Sequence, residues 1–161
     1  MSETPEDTSV PGNTPSLGWG SIGEDQQKLI LDHYRSPRNS GFLDDPDIQA
    51  TEVNAFCGDE ATIQARIIDG LLEEVGIHGV GCSICQASLS MLSEAIHHLT
   101  PADAKTLSAA FQRMMQGEVL SADETIQLGN LTSLGSVRSY PIRVKCALLA
   151  WVALDESLKD Y

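Results

Sequence analysis

The chain has 161 residues, of which 42% are hydrophobic and 20% are charged, a composition typical of one globular domain with a short extension. Its 23 acidic and 10 basic residues give a net charge of -13, which argues against nucleic-acid binding, because that binding depends on neutralising phosphates. We expect a cytoplasmic protein, since no apolar run is long enough to cross a membrane and the acidic N-terminus is unlike a secretory signal.

The chain is predicted to consist of a disordered tail at 1–22 and a single domain at 23–161. The tail is rich in proline, serine, threonine and glycine and has no basic residue, so it cannot bury enough apolar surface to offset its ordering entropy. The domain is expected to begin with a helix from Glu24 to about Ser36, because Pro37 disfavours helix in the residue before it.

Residues 51–80 have the alternating apolar and polar pattern of β-strands, clearest at 62–67. Asp69-Gly70 predicts a tight hairpin between two of these strands. A further strand around 50–56 would complete a small three-stranded antiparallel sheet.

The rest of the chain is predicted to be mainly helical. Ser83 and Gln86 have the spacing of a capping box at the start of one helix. Two later helices are expected to begin at Pro101 and Pro141, separated by a weakly patterned stretch at 117–137 that would hold a short helix and a glycine-rich loop. Strands followed by several helices predict an α+β fold.

Four cysteines in such a chain favour metal or redox chemistry over a disulfide framework, although buried free cysteines are also common small hydrophobic residues. Cys57 and Asp59 flank Gly58 in the loop between the first two strands. Cys82 lies at a helix entrance, where the dipole and free backbone N–H groups stabilise a thiolate, and Cys146 lies in the first two turns of the last helix. Since each lies at a junction, we expect these four side chains to converge on one metal.

Three thiolates and one carboxylate supply the four ligands of a tetrahedral zinc site, and thiolates also suit iron–sulfur clusters. Four anionic ligands would leave a Zn²⁺ site with a net charge of about −2. We expect Arg143 to offset this charge by pairing with Asp59 or a sulfur. Arg138, Arg143 and Lys145 also precede Cys146 closely, and their charge is expected to favour its thiolate.

Cys82 and Cys85 form a C-x-x-C pair, which is also the pattern of a thioredoxin-like redox site. Packing is the simpler interpretation, because Cys85 shares a helix stripe with Leu89. His97 and His98 end the same predicted helix, where positive charge complements the helix dipole.

Four motifs follow one another in a distinctive order. They are LDHYRSPRN at 31–39, NAFCGD at 54–59, GVGCSI at 79–84 and RVKCALLAW at 143–151. Together they resemble the SufU/IscU/NifU N-terminal group of iron–sulfur assembly proteins over roughly residues 24–158. The resemblance implies a SufU/IscU-like α+β domain.

Two features resemble the SufU branch of this group. Lys145 occupies the position before the last cysteine, where IscU proteins usually have histidine. The 63 residues between Cys82 and Cys146 hold an additional helical segment near 101–130 that resembles the SufU insertion. Cys85 is a departure, since the family more often has serine there.

The resemblance implies a zinc-dependent sulfurtransferase that accepts persulfide sulfur from a SufS-type cysteine desulfurase on Cys57. Asp59, Cys82 and Cys146 would hold the zinc throughout, with Arg143 as a second catalytic residue. The pyridoxal phosphate of the desulfurase would belong to that partner, and sulfur would pass on to the downstream iron–sulfur assembly machinery. Two alternatives stay open: a scaffold that assembles a [2Fe–2S] cluster on the same ligands, and a non-catalytic protein with a closed structural zinc site.

Overall fold

A computed structural model describes residues 22–161, and the predicted tail lies outside the described residues except for Ile22, which is buried in the core. The described chain confirms the α+β prediction. None of its helices has the length and apolarity that crossing a membrane requires. Its elements are α1 (Glu24–Arg35), β1 (Ile48–Asn54), β2 (Asp59–Ile68), β3 (Leu71–Val80), α2 (Ser83–Ala95), α3 (Pro101–Met115), α4 (Ala122–Leu128), a 3-10 segment (Gly129–Ser139) and α5 (Pro141–Ser157).

The sheet is antiparallel, in the order β1-β2-β3. Asp69 and Gly70 make the predicted hairpin between β2 and β3, and both have positive φ angles, 53° and 79°. A two-residue type I′ turn requires this conformation at both positions, which explains why Asp-Gly is a strong hairpin signal.

The end of β1 determines where the first candidate ligand lies. The strand ends at Asn54, two residues before the predicted limit, because the Asn54 side chain accepts the N–H of Phe56 at 3.0 Å and its carbonyl accepts the N–H of Gly58 at 2.8 Å. These bonds replace the strand ladder with a tight loop. Cys57 therefore lies at the tip of a closed loop at one end of the sheet.

A buried polar contact fixes α5 against α2. The Ser88 hydroxyl donates to the carbonyl of Ala147 at 2.7 Å and accepts the indole N–H of Trp151 at 3.1 Å. Phe111 of α3 stacks on the Trp151 ring with centroids 4.4 Å apart. Since Ala147 follows Cys146 directly, the same contacts set the position of that cysteine relative to the start of α2.

The LDHYRSPRN motif connects α1 to α2. His33 Nδ1 lies 2.7 Å from Ser90 Oγ, which also accepts the backbone N–H of Arg38 at 2.9 Å, and the Asn39 amide donates to Ser93 Oγ at 3.0 Å. Burial lowers the pKa of His33. The motif therefore has a structural role in holding α2.

The predicted capping box at the start of α2 is wrong. Cys82 is the N-cap, and its Sγ accepts the N–H of Cys85 at 3.5 Å, while Ser83 is the first helical residue. The Gln86 side chain instead donates to the carbonyl of Gly81 at 2.7 Å. The helix therefore begins on a candidate ligand.

The predicted glycine-rich loop is also wrong. The stretch after α4 forms the 3-10 segment, whose Leu131, Leu134 and Val137 are buried. This apolar spacing of three residues suits a 3-10 helix, in which every third side chain lies on the same face.

Candidate metal centre

The four predicted ligands lie where the β1–β2 loop meets the starts of α2 and α5. Cys57, Asp59 and Cys146 each place one ligand atom within 4.8 Å of the other two. Cys82 lies beside this group and is not a member of it: its backbone N–H donates to Asp59 Oδ1 at 3.1 Å, and the charge of its sulfur raises the pKa of the Cys146 thiol, which burial also raises. The structure thus brings three of the residues together and places the fourth next to them.

Asp59 carries the clearest sign that a cation fits here. Its side chain is only 2% exposed. Oδ1 accepts the Cys82 N–H, but Oδ2 is buried and has no hydrogen-bond partner in the described part of the chain. Leaving a buried carboxylate oxygen unpaired is costly. A metal ion bound to Oδ2 would remove that cost.

Cys146 is 1% exposed. Burial raises the pKa of its thiol, and the negative charges of the neighbouring Cys82 and Asp59 raise that pKa further. The expectation that nearby basic residues favour the Cys146 thiolate is therefore wrong for the metal-free protein. A dication would reverse this balance, because binding it releases the thiol proton.

The basic residues before Cys146 have other neighbours. Arg138 donates to the carbonyl of Gly135 at 3.0 Å, and Lys145 Nζ lies 5.1 Å from the centre of the Phe56 ring. Within residues 22–161, no ion pair joins Arg143 to Asp59. Charge compensation by Arg143 therefore stays a prediction for the metal-loaded protein.

Cys85 belongs to the hydrophobic core and not to the centre. It is fully buried, and burial, reinforced by the negative charge of Asp59, raises the pKa of its thiol to about 12. A thiol with this pKa is a poor nucleophile at neutral pH. Packing, which was the simpler interpretation of the C-x-x-C pair, describes Cys85 correctly.

Gly81 lies against the Asp59 carboxylate and has no role in the prediction from the sequence. Its φ angle is +135°, and a Cβ atom at this position would lie 2.1 Å from Asp59 Oδ1. Only glycine leaves room for the Asp59 carboxylate against the start of α2. The available signal was its position directly before a candidate ligand at a helix start.

We expect Gly81→Ala to lower zinc affinity by at least about tenfold, the effect of disturbing the support of a ligand. Competition with a zinc chelator measures this affinity. Gly117→Ala is the matched control, because Gly117 has a φ of +90° but a Cβ there would meet nothing within 4 Å. Equal zinc affinities in Gly81→Ala and the wild type would show that the crowding of Asp59 has no effect on the metal.

The chain is similar in sequence and in fold to known proteins. Residues 25–147 match the family model described as NifU-like N terminal domain. The chain is 37% identical over 132 residues to the zinc-dependent sulfurtransferase SufU of Bacillus subtilis, covering 82% of this chain and 88% of the relative. It is also 37% identical to the iron–sulfur cluster assembly scaffold protein IscU of Thermotoga maritima, covering 82% and 91%. The crystal structure of FiSufU from Fervidobacterium islandicum AW-1 superposes with a TM-score of 0.78 at 28% identity, covering 88% of this chain and 98% of that one.

Proposed function

Because the chain belongs to the family of NifU-like N-terminal domains, we propose that it is a zinc-dependent sulfurtransferase of iron–sulfur cluster assembly. It accepts persulfide sulfur on Cys57 from a SufS-type cysteine desulfurase in the cytoplasm and passes it to the downstream assembly machinery. The observation that carries the proposal is the unequal exposure of the ligands. Cys57 is exposed at the tip of a loop, whereas Asp59 and Cys146 are buried.

Asp59, Cys82 and Cys146 would hold the zinc, with Cys57 as the fourth ligand. Three sulfur donors and one carboxylate oxygen suit this metal, and the unpaired Asp59 Oδ2 offers a ligand atom. When bound, zinc supplies the charge that keeps the Cys57 thiol deprotonated. Arg143 lies half-buried one turn before Cys146 and would offset the negative charge of the centre.

The transfer itself is a thiol exchange. The Cys57 thiolate attacks the outer sulfur of the persulfide on the desulfurase. A bond forms between Cys57 Sγ and that sulfur, the donor S–S bond breaks, and its electron pair leaves on the cysteine thiolate of the donor. Cys57 becomes the persulfide, and no external oxidant or reductant is needed.

The surface around Cys57 suits a protein donor. Phe56, directly before it, is 88% exposed, and Ile142 at the start of α5 is also exposed. They border an open, mainly apolar pocket of about 500 Å³, lined by Asn54, Phe56, Cys57, Pro141, Ile142 and Lys145. Exposed apolar surface of this kind indicates a protein-binding site.

We expect Phe56→Ser to raise about tenfold the concentration of this protein that gives half-maximal stimulation of the desulfurase. Tenfold corresponds to roughly 1.4 kcal/mol, a common loss for an aromatic side chain at an interface. Desulfurase turnover of free cysteine, measured against the concentration of this protein, tests the change. Phe42→Ser is the control, because Phe42 is also exposed but stacks on His78 of β3. Equal shifts in both variants would contradict docking at Phe56.

The main alternative is a scaffold for a [2Fe–2S] cluster, supported by the equally similar IscU relative. Desulfurase turnover with and without this protein, combined with zinc content, separates the functions. Stimulated turnover by protein with one zinc supports the sulfurtransferase. If anaerobically purified protein transfers a cluster to an apo-ferredoxin and does not stimulate the desulfurase, the scaffold function is the correct one. Protection of every cysteine from thiol labelling, without stimulation, would indicate a structural zinc.

A further inference from the structure

We propose a second metal site, formed by Glu73, His97 and His98 at the opposite end of α2 from the cysteine centre. One ligand atom of each residue lies within 4.8 Å of the other two. Cys82 caps the N-terminus of α2, and the two histidines follow its C-terminus. The helix has 13 residues, a length of about 20 Å, so the two sites bind metal independently.

The backbone brings the three residues together. The N–H of His98 donates to the carbonyl of Leu72, and the N–H of Leu72 donates to the carbonyl of Leu99, both at 2.8 Å. His98 has a φ of 70°, and Leu72 and Ile96 beside these bonds are fully buried. The cluster is therefore positioned by the folded core and not by a chance approach of surface side chains.

His97 is oriented as a metal ligand. Its Nε2 lies 2.8 Å from the backbone carbonyl of Glu73. A carbonyl only accepts, so Nε2 carries the hydrogen and the neutral ring has its lone pair on Nδ1. Metal-binding histidines commonly donate their second ring N–H to a backbone carbonyl in this way.

His98 and Glu73 supply the other two donors. His98 Nδ1 lies 2.8 Å from Glu73 Oε2, and the His98 ring stacks on His97 with centroids 3.8 Å apart. A carboxylate only accepts, so His98 Nδ1 carries the hydrogen in the metal-free protein, and a metal ion would take the place of that hydrogen. The His98 and Glu73 side chains are 62% and 30% exposed, so both can rotate to metal-bonding distances of about 2.0–2.2 Å. The negative end of the α2 dipole favours a cation at this position.

The donor set determines which ion binds. Two imidazoles and one carboxylate suit Zn²⁺, Ni²⁺ or Cu²⁺, whereas Mg²⁺ and Ca²⁺ require more oxygen donors. Three protein ligands leave coordination positions for water. A bound ion would connect the C-terminal end of α2 to the start of β3.

Calorimetric titration of untagged protein with Ni²⁺ tests the site. One equivalent of zinc is loaded first, which fills the thiolate-rich cysteine centre and leaves the second site free, and the zinc content is measured before and after. We expect one equivalent of Ni²⁺ to bind while the zinc stays. His97→Gln and His98→Gln should each weaken Ni²⁺ binding by at least about tenfold. His78→Gln is the matched control, because His78 is an exposed histidine of β3 outside the cluster.

Glu73→Gln provides a further variant of nearly unchanged size, and it should also weaken Ni²⁺ binding. Unchanged thermal unfolding of the variants in the absence of Ni²⁺ shows that each is folded. The proposal is overturned if Ni²⁺ does not bind, or if each Ni²⁺ that binds releases one zinc ion. It is also overturned if the His97 and His98 variants bind like the wild type, or if His78→Gln loses as much affinity as they do. None of these results depends on sulfur transfer.

Discussion

Cys146→Ser is expected to remove the zinc and to lower the unfolding temperature by about 10 °C. Cys146 is buried and is a proposed zinc ligand, and serine cannot replace a thiolate because its hydroxyl does not ionise at neutral pH. Zinc present at about 1,000 times its dissociation constant stabilises a fold by about 4 kcal/mol, and each kcal/mol is worth about 2–4 °C in a domain of this size. Without the metal, Asp59 Oδ2 would stay buried and unpaired in this variant.

Zinc content and thermal unfolding, with and without a chelator, measure this effect. Cys85→Ser is the matched control, because it makes the same substitution in the same region but outside the ligand group. It should keep one zinc and a chelator-dependent unfolding temperature. A Cys146→Ser protein that keeps one zinc, or wild-type unfolding that is insensitive to the chelator, would contradict the assignment of Cys146.

Cys57→Ala is expected to keep some zinc but to accept sulfur at least about a hundredfold more slowly, since loss of a nucleophile removes the reacting atom itself. Asp59, Cys82 and Cys146 remain as ligands in this variant. Cys57 is exposed, whereas Cys82 is half-buried and Cys85 and Cys146 are buried, so no other thiol can replace it readily. Transfer of labelled sulfur from a desulfurase, measured together with zinc content, tests both parts.

Cys85→Ala is the control for sulfur transfer. Because burial raises the pKa of Cys85 to about 12, its removal should leave the transfer rate unchanged. Full transfer activity in the Cys57→Ala protein would contradict Cys57 as the acceptor.

Local patterns were sufficient to predict most of the fold. The hairpin at Asp69-Gly70 depends on the conformations of two adjacent residues, and helix starts at Pro101 and Pro141 depend on a residue without a backbone N–H. The grouping of Cys57, Asp59 and Cys146 was predictable from their positions beside the ends of strands and helices. Residues at loop tips and helix starts lie at the ends of elements, where separate parts of a small domain meet.

Contacts between distant residues were not predictable in this way. Cys82 replaces Ser83 as the N-cap because Asp59, 23 residues earlier, accepts its backbone N–H. The sequence neighbours of Cys146 are basic, but burial raises its pKa, and its spatial neighbours, another thiol and a carboxylate, raise that pKa further. Packing of β3 against the end of α2 likewise brings Glu73 to His97 across 24 residues.

In the proposed function, the exposed Cys57 of a zinc centre accepts sulfur while Asp59, Cys82 and Cys146 hold the metal. Native and peptide mass spectrometry of the zinc-loaded protein, after reaction with a SufS-type desulfurase and free cysteine, tests it most directly. We predict one additional sulfur atom on the peptide that contains Cys57, in protein that still carries one zinc. Sulfur on Cys82 or Cys146, or loss of the zinc during transfer, would contradict the claim.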